Sequence, residues 1–157
     1  VAVRVQAEPF DVGQELAQLT AGNTGIGGVA SFTGLVREFA GGRRLTSMTL
    51  EHYPGMTELE LARVEAEALA RWPLDASLIV HRYGKMLPGE PIVLVATASA
   101  HRHAALESCA FLIDWLKTRA TFWKFEEGEG GGLWVEAKEA DDAATKRWHL
   151  ATGGELV

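Results

Sequence analysis

Hydrophobic positions along the chain change period several times, and each change marks a predicted element. Residues 1–5 alternate, with β-branched Val1, Val3 and Val5, which is the period of a strand. Asp11 then stands where an N-cap would open a helix to about Leu19, with Leu16 and Leu19 on its inner side. Residues 21–28 carry four glycines with Asn23 and Thr24, a turn-rich connector. A second strand is predicted over 29–36, followed by Arg37 and a mobile-looking loop around Gly41-Gly42-Arg43-Arg44. Alternation returns over 45–52, with Met48 and Leu50 on one face, and Pro54-Gly55 ends it. Thr57 and Glu60 have the spacing of a capping box, opening a helix to about Arg71 that buries Leu61, Val64 and Ala68. Pro73 stops that helix.

The second half is more strongly patterned. Residues 77–83 read as a strand and 87–90 as a turn. Residues 92–98 are continuously apolar, as expected of a central strand covered on both faces. A long helix is predicted over 103–118, because Ala105, Cys109, Leu112 and Leu116 recur at +4, +3 and +4. Two strands follow, 122–126 and 133–137, joined by a glycine-rich loop at 128–132. Asp141 caps a last short helix ending near Trp148, and 151–157 read as a loose tail. Strands and helices mix without strict alternation, so the fold class expected is α+β with a mostly antiparallel sheet, one domain over 1–150.

Composition adds bounds to this picture. With 157 residues, 47% hydrophobic and 23% charged, the chain has the make-up of an ordinary globule. The longest uncharged apolar stretch, 92–100, is too short to cross a bilayer, and the first residues lack the layout of a secretion signal. The single cysteine, Cys109, rules out an internal disulfide and fits a reducing compartment, so a cytoplasmic location is expected. A net charge of −6 argues against nucleic-acid binding. The cations are nevertheless concentrated: Arg102, Lys117, Arg119 and Lys124 face only Glu107 and Asp114 between His101 and Lys124. A local basic site on an acidic protein points to a small anionic ligand.

Three places are candidates for chemistry. Ser99-Ala100-His101-Arg102 lies where a buried strand meets a helix start, whose free N–H groups and positive dipole end attract phosphate. His101 and Arg102 would add a hydrogen bond and a forked donor; equally, His101 caps the helix and Arg102 is a solvated charge. Lys117, at the end of the long helix, is favoured there by the dipole alone. Lys124, two residues along the strand from Phe122, points to the same side as that ring. On an inner face, burial and a neighbouring cation would make it a usable nucleophile or base; on an outer face it is a surface lysine. Arg37, after a strand and before a glycine-rich loop, either grips a ligand or is merely exposed. His101 and His103 point apart on a helix and no other ligand joins them, so no metal site is expected. Cys109 belongs to the apolar stripe, and no phosphate loop or serine elbow occurs.

Taken in order, the blocks Ser31-Phe32-Thr33-Gly34-Leu35-Val36-Arg37, Leu50-Glu51-His52-Tyr53-Pro54-Gly55-Met56, Arg71-Trp72-Pro73, His81-Arg82-Tyr83-Gly84, Ser99-Ala100-His101-Arg102 and Leu116-Lys117-Thr118-Arg119-Ala120-Thr121-Phe122-Trp123-Lys124 resemble the signature segments of molybdopterin synthase catalytic (large) subunits. Trp134-Val135-Glu136-Ala137 and Arg147-Trp148 extend the likeness. Two positions depart from the family pattern: Thr121 stands where proline is usual, and Phe125 where a basic residue is frequent.

The resemblance implies an α/β hammerhead-type fold and a homodimer within a 2:2 heterotetramer. The partners it implies are two small ubiquitin-like sulfur-carrier subunits, each ending in a Gly-Gly thiocarboxylate. The substrate implied is cyclic pyranopterin monophosphate, which receives two sulfurs to become molybdopterin. Lys117 and Lys124 are the catalytic residues implied. Substrate contacts are implied at Leu35, Val36, Arg37, His101, Arg102, Lys117, Lys124, Phe125 and Glu126, some of them from the neighbouring subunit. No cofactor, metal, nucleic acid or membrane enters the expectation. The alternatives are a non-catalytic module binding a phosphorylated small molecule or nucleotide, and a structural assembly protein.

Overall fold

In the computed structural model, residues 2–119, 122–135 and 148 are described. The expected closing helix over 141–148, apart from helical Trp148, lies outside these residues, as do Thr121 and the tail 151–157. Over residues 2–135 the described elements are β1 (Ala2–Gln6), α1 (Val12–Thr20), β2 (Gly28–Leu35), β3 (Phe39–Ala40), β4 (Arg43–His52), α2 (Met56–Arg71), β5 (Ala76–Arg82), β6 (Gly84–Met86), β7 (Pro91–Ser99), α3 (Arg102–Arg119), β8 (Phe122–Gly128) and β9 (Gly131–Val135).

The strands form two sheets. The first has the order β1-β5-β7-β2, with β1 parallel to β5 and the other pairs antiparallel. The second runs β3-β4-β8-β9, all antiparallel, with β6 added to β4. Helices cover both faces of the first sheet. On one side Ile79, Val93 and Val95 pack against Leu61, Val64 and Ala68 of α2 and Phe111, Leu112 and Leu116 of α3. On the other, Leu78, Val80, Leu94 and Ala96 meet Val12, Leu16 and Leu19 of α1. This double cover is why β7 reads as an unbroken apolar run, and why every residue of β5 is buried too.

Local chemistry accounts for the element ends. The Asp11 side chain accepts from the Gln14 N–H at 2.8 Å, the N-cap read from the sequence. At α2 the N-cap lies two residues earlier than expected, and only the return half of a capping box is made. Gly55, at φ 84°, precedes the first turn, and the Glu58 carboxylate reaches back to the Gly55 N–H. Thr57 is inside the helix, fully buried, and its hydroxyl accepts from the Tyr53 N–H at 3.0 Å. The expected loop after Arg37 is instead a tight hairpin. β3 pairs with the start of β4 through Gly41 and Gly42, both at positive φ as a two-residue hairpin turn requires. The Glu38–Arg44 ion pair, 2.9 Å, braces it.

α3 buries more than the single stripe expected of it. Ala104, Ser108, Phe111 and Trp115 are buried alongside Ala105, Cys109, Leu112 and Leu116, because α3 packs on α2 as well as on the sheet. Most of the glycine run at 128–132 belongs to β8 and β9, with only Glu129 and Gly130 in the turn. Arg43 pins that turn by donating to the carbonyls of Glu126, Glu129 and Gly131.

Candidate active site

A smaller apolar cluster, Val36, Met48, Leu50 and Met86 with Ile92 and Phe122, sits where the two sheets meet. A cavity of about 380 Å³ opens over it, a volume suited to one small organic ligand. Its polar wall comes from four elements. Arg37 follows the end of β2. Lys117 and Thr118 stand in the last turn of α3, Lys124 and Glu126 project from β8, and His81 is the last residue but one of β5.

Strand alternation decides which β8 side chains reach the cavity. Phe122, Lys124 and Glu126 face it, as the spacing from Phe122 to Lys124 implies. Trp123, Phe125 and Glu127 therefore face the other way. Phe125, expected to contact substrate, turns its ring away and lies at 5.1 Å from the Trp134 ring. It also covers Gly132, where a Cβ would stand only 2.2 Å from the Phe125 ring, so a side chain at that position requires the ring to shift. Lys124 is half-buried, with its Nζ 3.9 Å from the buried Glu126 carboxylate. Leu35 and Val36 line the cavity beside Arg37, Val36 buried and Leu35 exposed.

Three of the five expected groups thus converge within one chain: Arg37, Lys117 and Lys124. His101 and Arg102 do not join them. They lie at the start of α3, fifteen residues before Lys117, which is about 22 Å along a helix. His101 lines a different hollow, with Pro73, Leu74, Asp75, Ser99, Ala100 and Ala104. Gly27 and Gly28 press against the Ala100 and Arg102 backbone beside it. Arg119, part of the same basic window, is committed elsewhere: it lies 4.0 Å over the Trp115 ring and 3.0 Å from Glu67. The sequence concentrates cations, and the fold separates them into two ends of one helix.

His81 belongs to the cavity although its sequence block carried no assigned role. Its ring stacks on Phe122 at 3.8 Å, tilted by 18°. Its Nδ1 lies 2.9 Å from the Arg82 carbonyl. Burial, with the positive charge of Lys117 and the proximity of His52 acting in the same direction, lowers its pKa from 6.5 to about 4. The signal available in the sequence is a lone imidazole at the end of the apolar run Leu78-Ile79-Val80. Cys109 is buried away from the cavity, its thiol pushed up to about 11 by burial, as expected of an inert core thiol.

Comparison with known proteins places this geometry. The family model described as MoaE protein matches residues 5–119. The molybdopterin synthase catalytic subunit of Pseudomonas aeruginosa is 55% identical over 148 residues, which are 94% of this chain and 99% of that protein. Among solved structures, the molybdopterin biosynthesis MoaE protein of Burkholderia ambifaria superposes with a TM-score of 0.82 at 47% identity, over 95% of this chain and 98% of the other. The molybdopterin synthase of Staphylococcus aureus gives 0.78 at 32% identity, over 85% and 96%. With the cavity, its lysine pair and these likenesses in agreement, the chain belongs to the MoaE family, the catalytic subunits of molybdopterin synthase.

Proposed function

We propose that this chain moves sulfur from the thiocarboxylated C-terminus of a small ubiquitin-like carrier subunit onto cyclic pyranopterin monophosphate, twice, to give molybdopterin. One observation carries the reading: Arg37, Lys117 and Lys124, distant in sequence, line a single cavity of ligand size. A phosphorylated pterin and a thiocarboxylate are both anions, and cations are the physical means of holding two anions together. For sulfur to remain on the pterin, a new carbon–sulfur bond must form there. The carrier's acyl–sulfur bond must break, its acyl group passing to water as a carboxylate. Each acyl step gathers negative charge on oxygen, which Lys117 is placed to stabilise, with Lys124 assisting as acid/base or as a second charge. Arg37 grips the phosphate. Leu35, Val36 and the Glu126 carboxylate shape the wall around it.

His101 and Arg102 complete the site from a second copy of the chain, in a homodimer that carries one small subunit at each end. The helix start they occupy is an anion site in its own right, and no rearrangement of one chain spans the length of α3. Residues 1–150 serve this one activity as one domain, with 151–157 as its tail, and the enzyme works in the cytoplasm, where Cys109 stays reduced.

Supplying the purified chain with carrier subunit charged as thiocarboxylate and with the pterin monophosphate should yield the dithiolene product. Binding of the pterin without conversion would leave only a phosphate-binding module. The shared site has its own test. Lys117→Ala and Arg102→Ala dimers should each be nearly inactive, whereas dimers remixed from the two at equal ratio recover about one quarter of wild-type activity. Half of them are hybrids with one intact site. A mixture no more active than its parents would show that His101 and Arg102 act elsewhere.

A further inference from the structure

We propose that His81 is a positioning residue for Lys117, its Nε2 accepting a hydrogen bond from the lysine ammonium and aiming it at the reacting group. The inference rests on the sulfur-transfer reading and extends it to a residue outside the lysine pair.

The ring's orientation and tautomer are fixed by its neighbours. A carbonyl oxygen only accepts, so the contact of Nδ1 with the Arg82 carbonyl puts the proton on Nδ1 and leaves Nε2 with its lone pair. The Phe122 stack holds the ring plane against the cavity wall. Among the described residues Nε2 has no hydrogen-bond partner, and neither has the Lys117 ammonium. One acceptor and one donor, both unused, therefore line the same cavity, and the lysine's charge is felt at the ring.

The other polar groups of the cavity are otherwise engaged or of the wrong sign. Glu126 is paired with Lys124, the Thr118 hydroxyl donates to the carbonyls of Asp114 and Trp115, and Arg37 is a donor only. Burial keeps the imidazole uncharged at physiological pH. A neutral acceptor directs an ammonium without cancelling its charge, as a carboxylate would, and without repelling it, as an imidazolium would. Lysine's flexible stem gives such a contact something to do, because an unrestrained ammonium spends its time in many rotamers.

The test uses the complete enzyme with charged carrier subunit and pterin monophosphate. His81→Phe keeps the stack and removes Nε2; His81→Gln places an amide oxygen near the Nε2 position. We expect kcat to fall about ten-fold in His81→Phe with KM within about two-fold, and His81→Gln to keep about half of kcat. Unchanged kcat in His81→Phe, or an equal fall in both variants, overturns the proposal. A second readout needs no turnover. From wild type to Lys117→Met, the ¹⁵N resonance of His81 Nε2 should shift toward the unbonded-acceptor position; no shift overturns the proposal. Absence of product with wild-type enzyme would count against the sulfur-transfer reading, and the resonance would still report the contact.

Discussion

Lys117→Ala is expected to lower sulfur transfer at least about 100-fold while leaving the fold in place. Removal of one preorganised charge aimed at a developing oxyanion typically costs this much. The side chain is exposed and makes no hydrogen bond or ion pair among the described residues, so little packing is lost. What disappears is a cation near the C-terminal end of α3, a stability change within about 1 kcal/mol. Single-turnover conversion, read beside the thermal midpoint, separates the two effects. Lys117→Arg sharpens the result, since it keeps charge and loses the compact amine. Near-normal turnover in Lys117→Ala would remove the amine from the chemistry. Full rescue by arginine would reduce its role to charge alone.

Acid is expected to destabilise the protein through His81 by about 3 kcal/mol between pH 6.5 and 4. In the unfolded chain this imidazole takes up its proton near 6.5, and in the folded chain only near 4. The unfolded state thus binds more protons across that window. The stabilisation is complete above about pH 6.5 and is lost as pH falls toward 4. Of the groups facing the ring, the Arg82 carbonyl favours the proton, but burial outweighs it, and Lys117 from α3 and His52 from β4 oppose it as well. Arg37 and Lys124 line the same cavity, where Glu126, already beside Lys124, is the one acid among the described residues. Carboxylates elsewhere titrate in part of this range, so the informative quantity is a difference. Urea midpoints of wild type and His81→Gln should run parallel above pH 7 and diverge below 6, the wild type losing more. Parallel curves throughout would mean that the ring is not the acid-sensitive group.

Much of the architecture was legible because burial leaves a period. The spacing of Ala105, Cys109, Leu112 and Leu116 announced α3, and the unbroken 92–98 run announced a strand covered twice. The step from Phe122 to Lys124 put the two side chains on one side of the strand, and the cavity lining agrees; the sequence left open whether that side is the inner one. Other features left weaker marks. β3 and β6 are two and three residues long, below the length at which alternation is visible. The start of α2 was misplaced because Thr57 has cap-like chemistry but uses it from inside the helix. Phe125 was expected at the substrate from family position, and one step of strand alternation turns it outward. The separation of His101 and Arg102 from Lys117 is a matter of helix length, not of residue type. His81 has no role legible in the sequence, because one imidazole after an apolar run does not reveal what it faces.

The middle of β8 has two different sides, with Lys124 and Glu126 toward the cavity and Trp123 and Phe125 away from it. Its register against β4 is already interrupted once, between Leu45 and Ser47. A single-residue insertion or deletion within β8 would exchange the two sides wholesale, putting Trp123 and Phe125 where Lys124 and Glu126 now stand. Length changes along this strand are therefore far less tolerable than substitutions, and descendants of the gene should accumulate indels in the flanking turns instead.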